Sequence, residues 1–148
     1  MDTPRTTDTH TPLDLLLTGL VDKVANVRQA VVVSKDGLVV SKSTSITRPN
    51  AERLAATASG LMSLGRGVCA DFEGGAVVQA LIEMQKGYLI LSSAGLGAYL
   101  AVLCTAEADV GVVAFEMNLL VKRIGEHLSV RPRNHATSAD PPNGAATA

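Results

Sequence analysis

Ala76-Val-Val-Gln-Ala-Leu-Ile-Glu-Met-Gln-Lys-Gly-Tyr-Leu-Ile-Leu-Ser-Ser-Ala-Gly-Leu-Gly-Ala-Tyr-Leu-Ala-Val-Leu-Cys104 decides the fold. It divides into three apolar runs, residues 76–84, 88–94 and 98–104, separated by Gln85-Lys86-Gly87 and Gly95-Leu96-Gly97. Connections this short, with glycine in each, join antiparallel neighbours, so the segment reads as a three-stranded meander. Tyr88-Leu-Ile-Leu91 does not alternate, and neither does Ala30-Val-Val-Val33 further upstream. A strand with one wet face alternates; unbroken apolar runs require cover on both faces.

Upstream of the meander, residues 27–34 and 38–43 form a hairpin around Lys35-Asp36-Gly37. Three helical patterns supply the cover. Leu13, Leu16, Leu17, Leu20 and Val24 fall at helical spacing behind a Thr11-Pro12 start, with Thr as N-cap and Pro at the first helical position. Thr47 caps a long helix over residues 48–70, with Pro49 tolerated in its first turn. Residues 106–128 carry the stripe Val110, Val113, Ala114, Met117, Leu120, Val121, Ile124 and Leu128. The order αββαβββα therefore predicts an α+β fold. It is a three-layer α/β/α sandwich around a five-stranded antiparallel sheet. Residues 1–11 read as a disordered N-terminal arm, residues 12–128 as the domain and residues 129–148 as a flexible tail.

Composition narrows the function. The chain has 148 residues, a net charge of −1, only 3% aromatic residues and no Trp. That leaves no basic field for a phosphate backbone and few rings for base stacking, so nucleic-acid binding is excluded. Cys69 and Cys104 are far apart and read as small buried hydrophobes of a reducing compartment. The N-terminus lacks a signal-peptide apolar region, and no segment supplies the ~20 apolar residues of a membrane span. The expected location is the cytoplasm, with membrane association only through a partner.

Catalytic and metal signatures are missing. No Gly-Lys-Ser/Thr phosphate loop is present, and Gly95-x-Gly97 sits between strands rather than at a strand-to-helix junction. His10 and His135 lie in the tails, and His127 falls in the last turn of a helix, where a positive charge is favourable. Glu83 and Glu116 have no evident partner. The expectation is a protein that is not an enzyme and has no catalytic residue, metal or cofactor.

The most informative segment is residues 54–65, which contain no charged side chain. At about 100° per residue, Leu54, Ala58, Leu61, Gly65 and Val68 share a face expected to pack on the sheet. The opposite face carries Ala56, Ser59, Gly60, Ser63 and Gly67, where an ordinary surface helix has Lys and Glu. Gly60, Gly65 and Gly67 each cost a helix interior roughly 1 kcal/mol relative to Ala. Small residues let another backbone approach closely, so this face is the expected contact surface. A two-fold dimer that closes the edge at residues 76–84 brings two such helices together.

Five segments now carry a family resemblance: Leu13-Asp-Leu-Leu-Leu17, Val27-Arg-Gln-Ala-Val-Val-Val-Ser-Lys-Asp-Gly-Leu38, Ala51-Glu-Arg-Leu-Ala-Ala56, Ser59-Gly-Leu-Met-Ser-Leu64 and Phe115-Glu-Met-Asn-Leu-Leu-Val-Lys-Arg-Ile124. Over residues 13–128 the chain resembles the roadblock family, named for a dynein light chain, and its bacterial conservon-type members in particular. The resemblance implies a roadblock, profilin-like fold and a homodimer joined through the third strand and the long second helix. It also implies a Ras-like small GTPase as partner, beside a sensor histidine kinase-like protein. Carried onto this sequence, the interface residues are Arg53, Ala56, Ser59, Gly60, Ser63 and Gly67, with Arg66 flanking them. Arg48-Pro49-Asn50 and Thr18-Gly19 depart from the acidic residues common in relatives, which bears on partner identity more than on fold. The expected function is a non-enzymatic homodimeric regulator or scaffold of a small GTPase. The alternatives are a small-molecule sensor domain and a structural adaptor for a sensor kinase.

Overall fold

The computed structural model describes residues 10–129. The chain runs through Pro12–Lys23 (α1), Val27–Ser34 (β1), Val39–Lys42 (β2), Arg48–Asp71 (α2), Gln79–Met84 (β3), Gly87–Ser93 (β4), Ala98–Thr105 (β5) and Val110–Ser129 (α3). All five strands join one antiparallel sheet in the order β2-β1-β5-β4-β3. α1 and α3 lie on one face and α2 on the other, so the fold is the expected three-layer α+β sandwich. The two expected arms lie almost wholly outside the described residues. Thr11 belongs to the α1 cap and Ser129 ends α3.

Each sheet face has its own core. Leu17, Ile90, Leu100, Val102, Met117 and Ile124 are fully buried between the sheet and the α1/α3 layer. Val31, Val33, Ala55, Ala58, Met62 and Leu91 fill the space beneath α2. Burying a Val, Leu, Ile or Met side chain contributes about 1.5–3 kcal/mol, which is why the continuous apolar strands set the layering. Gly87 lets β4 run close to β5, because a β-carbon there would collide with the Cys104 carbonyl oxygen. Cys104 is buried, and burial pushes its thiol up to about 11. Cys69 was also expected inside but is only half-buried, because it lies past Met62, where α2 buries no residue.

Local chemistry corrects several boundaries. β3 begins at Gln79 rather than 76, because Gly75 turns the chain at φ +82° and Ser93 holds the Val77 and Val78 carbonyls. α3 begins at Val110 rather than 106. Its start is set by Asp109, whose carboxylate accepts from the Val112 N–H at 3.2 Å. Glu116 does have a partner: it meets Lys23 at 3.2 Å and links α3 to α1. The Thr18 departure also has a role, since its hydroxyl accepts from the Thr44 N–H at 3.2 Å.

Asp14 is the polar tie between layers. With Thr11 it completes a capping box at the start of α1. Its other oxygen accepts from the Ser41 hydroxyl and from the Lys42 N–H at 3.2 Å, fixing α1 to β2. Partial burial raises the Asp14 pKa, but the hydrogen bonds from Ser41, Thr11 and Lys42 outweigh it, and the net shift is downward from 3.8. A carboxylate with a depressed folded-state pKa adds stability above its unfolded value, and that stability is lost as pH falls through the folded value. Asp14→Ala should therefore cost about 1–3 kcal/mol in urea unfolding at pH 7. The gap to the parent should narrow as the pH drops below 3.8. A gap that stays constant across that range would exclude the charged tie.

Candidate functional site

α2 has Thr47 as N-cap, accepting from the Asn50 N–H at 3.3 Å, and continues unbroken for 24 residues. Its buried stripe is Ala51, Leu54, Ala55, Ala58 and Met62. This corrects the expected face. Ala58 and Leu54 are inside, but Leu61 and Gly65 are half-buried and Val68 is exposed. The helix is rolled so that Ala55 and Met62 meet the sheet. Past Met62 no residue of α2 is buried.

The six residues expected at an interface fall as follows. Arg53, Ala56, Gly60, Ser63 and Gly67 are exposed. Ser59 is half-buried and already engaged: its hydroxyl donates to the Lys35 carbonyl at 2.9 Å, pinning the β1–β2 turn to the helix. A β-carbon at Gly60 or Gly67 would meet nothing within 4 Å, so neither glycine is needed inside the protomer. At Gly65 a β-carbon would touch Val77 at 3.4 Å, an ordinary contact, so packing inside the protomer does not demand glycine there either. Arg66 is also used within the protomer, donating to the Tyr99 hydroxyl.

A larger feature lies beside this face. Leu64 (72% exposed), Val68 and Phe72 (78% exposed) form an apolar flank on the second half of α2. β3 pairs with β4 alone, leaving its outer backbone edge free. Along that edge Leu81, Ile82 and Met84 are exposed, with Val78 (74% exposed) just before them. Pairing of Ile82 with Leu89 and of Met84 with Gly87 puts both side chains on the α2 side of the sheet, while Leu81 faces the other side. The expectation singled out small residues and the edge strand; it missed Val68 and Phe72 as surface groups. The signal was present as an apolar arc on α2 wider than one buried stripe. A separate exposed group, Leu15, Val112, Phe115 and Leu119, sits on the α1/α3 layer.

The described residues contain no cluster of three His, Cys, Asp or Glu able to hold a metal. No described helix is long and apolar enough to cross a membrane. What the arrangement offers is an exposed helix face of low charge next to an unpaired, apolar strand edge.

Comparison with known proteins places the chain. The sequence pattern of the Roadblock/LC7 domain matches residues 13–104. A Roadblock/LC7 domain from Streptomyces avermitilis is 42% identical, with a TM-score of 0.77 over 80% of this chain and 99% of that one. A second domain from the same species is 63% identical, with a TM-score of 0.65 over 77% and 99%. MglB of Myxococcus xanthus is 17% identical, with a TM-score of 0.74 over 81% and 97%, a likeness of fold alone. No curated protein matches the sequence. With its order of elements, its bare third strand and these matches over most of its length, the chain belongs to the Roadblock/LC7 domain family.

Proposed function

We propose that this protein is a non-enzymatic homodimer that regulates or scaffolds a Ras-like small GTPase in a bacterial signalling complex. One observation carries the dimer: α2 alone covers a sheet face that two helices cover on the opposite side. Five strands about 4.8 Å apart span roughly 19 Å between outer axes, whereas one helix with side chains is about 10–12 Å wide. The uncovered remainder is β3 with Ile82 and Met84, next to the apolar flank of α2. A second copy placed edge to edge through β3 supplies the missing helix and pairs the free backbone. The paired α2 helices then present Arg53, Ala56, Gly60, Ser63 and Gly67 as one surface of low charge.

The GTPase reading rests on family membership together with this surface. No residue on it is suited to nucleotide chemistry, so its effect would come from binding one nucleotide state more tightly than the other, which shifts the population of states. An adaptor for a sensor kinase would use the same surface but show no nucleotide preference.

In dilute solution the protein should sediment at twice 15.3 kDa. Ile82→Asp at the β3 edge should shift it toward a monomer that remains folded by circular dichroism. A parent that stays monomeric at micromolar concentration would remove the dimer.

Gly60→Glu has open space for its side chain and should keep the fold, and replacing an interior helix glycine adds up to about 1 kcal/mol to stability. It should abolish binding of a purified Ras-like GTPase encoded near this protein's own gene, measured by calorimetry in the GDP and GTP-analogue states. Failure of the parent to bind in either state would sink the GTPase reading. Equal binding in both states would favour the scaffold over the regulator.

A further inference from the structure

Where the second half of α2 leaves the sheet, a cleft of about 470 Å³ opens beneath it. That volume falls within the ~300–1,000 Å³ typical of small-molecule sites. Met62, Val77 and Ala98 give it apolar walls. Two cations, Lys35 and Arg66, line it, and no carboxylate does. The ion pairs among the described residues, Lys23–Glu116 and Arg48–Glu52, involve neither of them.

Three separate devices hold the walls. Arg66 is anchored by one guanidinium nitrogen on the hydroxyl of Tyr99, a buried residue that also faces the cleft, which leaves its other N–H groups for a ligand. The Lys35 stem passes over Gly97, where a β-carbon would come within 3.4 Å of Lys35 Cδ and where φ is +75°. The hydroxyl of Ser93 donates to the Val77 carbonyl at 2.8 Å and fixes the connection into β3. Two cations beside apolar walls, with no carboxylate lining the cleft, raise the local positive potential and favour an anion. Arginine's remaining fork suits a carboxylate or phosphate oxygen pair.

We propose that this cleft binds a small organic anion, a carboxylate or phosphate monoester carried on a compact apolar body. Arg66 and Lys35 hold the anionic group, and Met62, Val77 and Ala98 take the apolar part. Such a molecule would brace the second half of α2 against the sheet. The site does not depend on the GTPase reading, since a chain that binds no GTPase can still hold the anion.

The test is a ¹H–¹⁵N NMR titration of the full chain with benzoate and with phenyl phosphate, using benzamide as the neutral control. The expected result is saturable shifts at residues 35–37, 66–70 and 95–99 with at least one anion and none with benzamide. Whichever anion binds more tightly identifies the head group. Arg66→Gln and Lys35→Gln should each weaken binding about tenfold, and Arg66→Lys should weaken it less than Arg66→Gln. Thermal unfolding reports whether each variant folds. If loss of the Tyr99 contact unfolds Arg66→Gln, Lys35→Gln decides alone. Absence of saturation, equal binding of benzamide, shifts spread over lysines and arginines across the surface, or unchanged affinity in Lys35→Gln would each overturn the site.

Discussion

Antiparallel pairing of β1 with β5, from Val27 opposite Cys104 to Ser34 opposite Ala98, sets the buried run Ala30–Val33 beside an almost wholly apolar strand at the centre of the sheet. Neither strand has a face that can be left in water. Ala30, Val32, Leu100 and Val102 point to one side, and Val31, Val33, Tyr99 and Ala101 to the other. Cover on both sides is thus obligatory, and the three helices exist to provide it. The hairpin partner β2 is left at one edge and the first meander strand, β3, at the other.

Unequal cover follows from having three helices for two faces. α1 and α3, tied together by Lys23 and Glu116, share one side. α2 works alone and lies chiefly over β1 and β5, where burial is greatest, with little contact to β3. Its 24 residues rise about 36 Å at 1.5 Å each, longer than the strands beneath it. Everything buried on it therefore lies between Ala51 and Met62, and the remainder projects past the core. The apolar flank at Leu64, Val68 and Phe72 and the cationic cleft under Arg66 are two results of that single mismatch in length and number.

The order of elements was legible because the signals were local. Short glycine-containing turns separate the meander strands, Thr11-Pro12 and Thr47 mark helix starts, and unbroken apolar runs require two covered faces. The roll of α2 was not legible. In a helix with so few charged residues, the apolar and small positions extend around most of the circumference, and Leu61 and Val68 fit the stripe as well as Ala55 and Met62 do. Only contact with Val31, Val33 and Leu91 selects the second set. The same holds for Asp14, which interrupts an apolar stretch in sequence yet binds Ser41 and Lys42 across the fold. The cleft depends on Lys35, Arg66 and Tyr99, which come from three elements distant in sequence, and no spacing rule brings them together. The exposure of Ala56, Gly60, Ser63 and Gly67, by contrast, was visible as a face without charge.

None of the three glycines of α2 is demanded by packing inside the protomer. Each weakens an interior helical position by about 1 kcal/mol relative to Ala. At Gly65 a β-carbon would make only an ordinary contact with Val77 at 3.4 Å. At Gly60 and Gly67 alanine would fit without meeting another atom. A helix that also leaves Leu64, Val68 and Phe72 in water is carrying two kinds of cost at once, weakened backbone and unburied apolar surface. In the proposed dimer the partner's helix would offset the second cost, while Gly60 and Gly67 would lie on the outward surface offered to the GTPase. The free edge of β3 sets where that helix would come down, because a strand paired to it would lie in the plane of the sheet and carry its own helix to the Leu64, Val68 and Phe72 flank of α2.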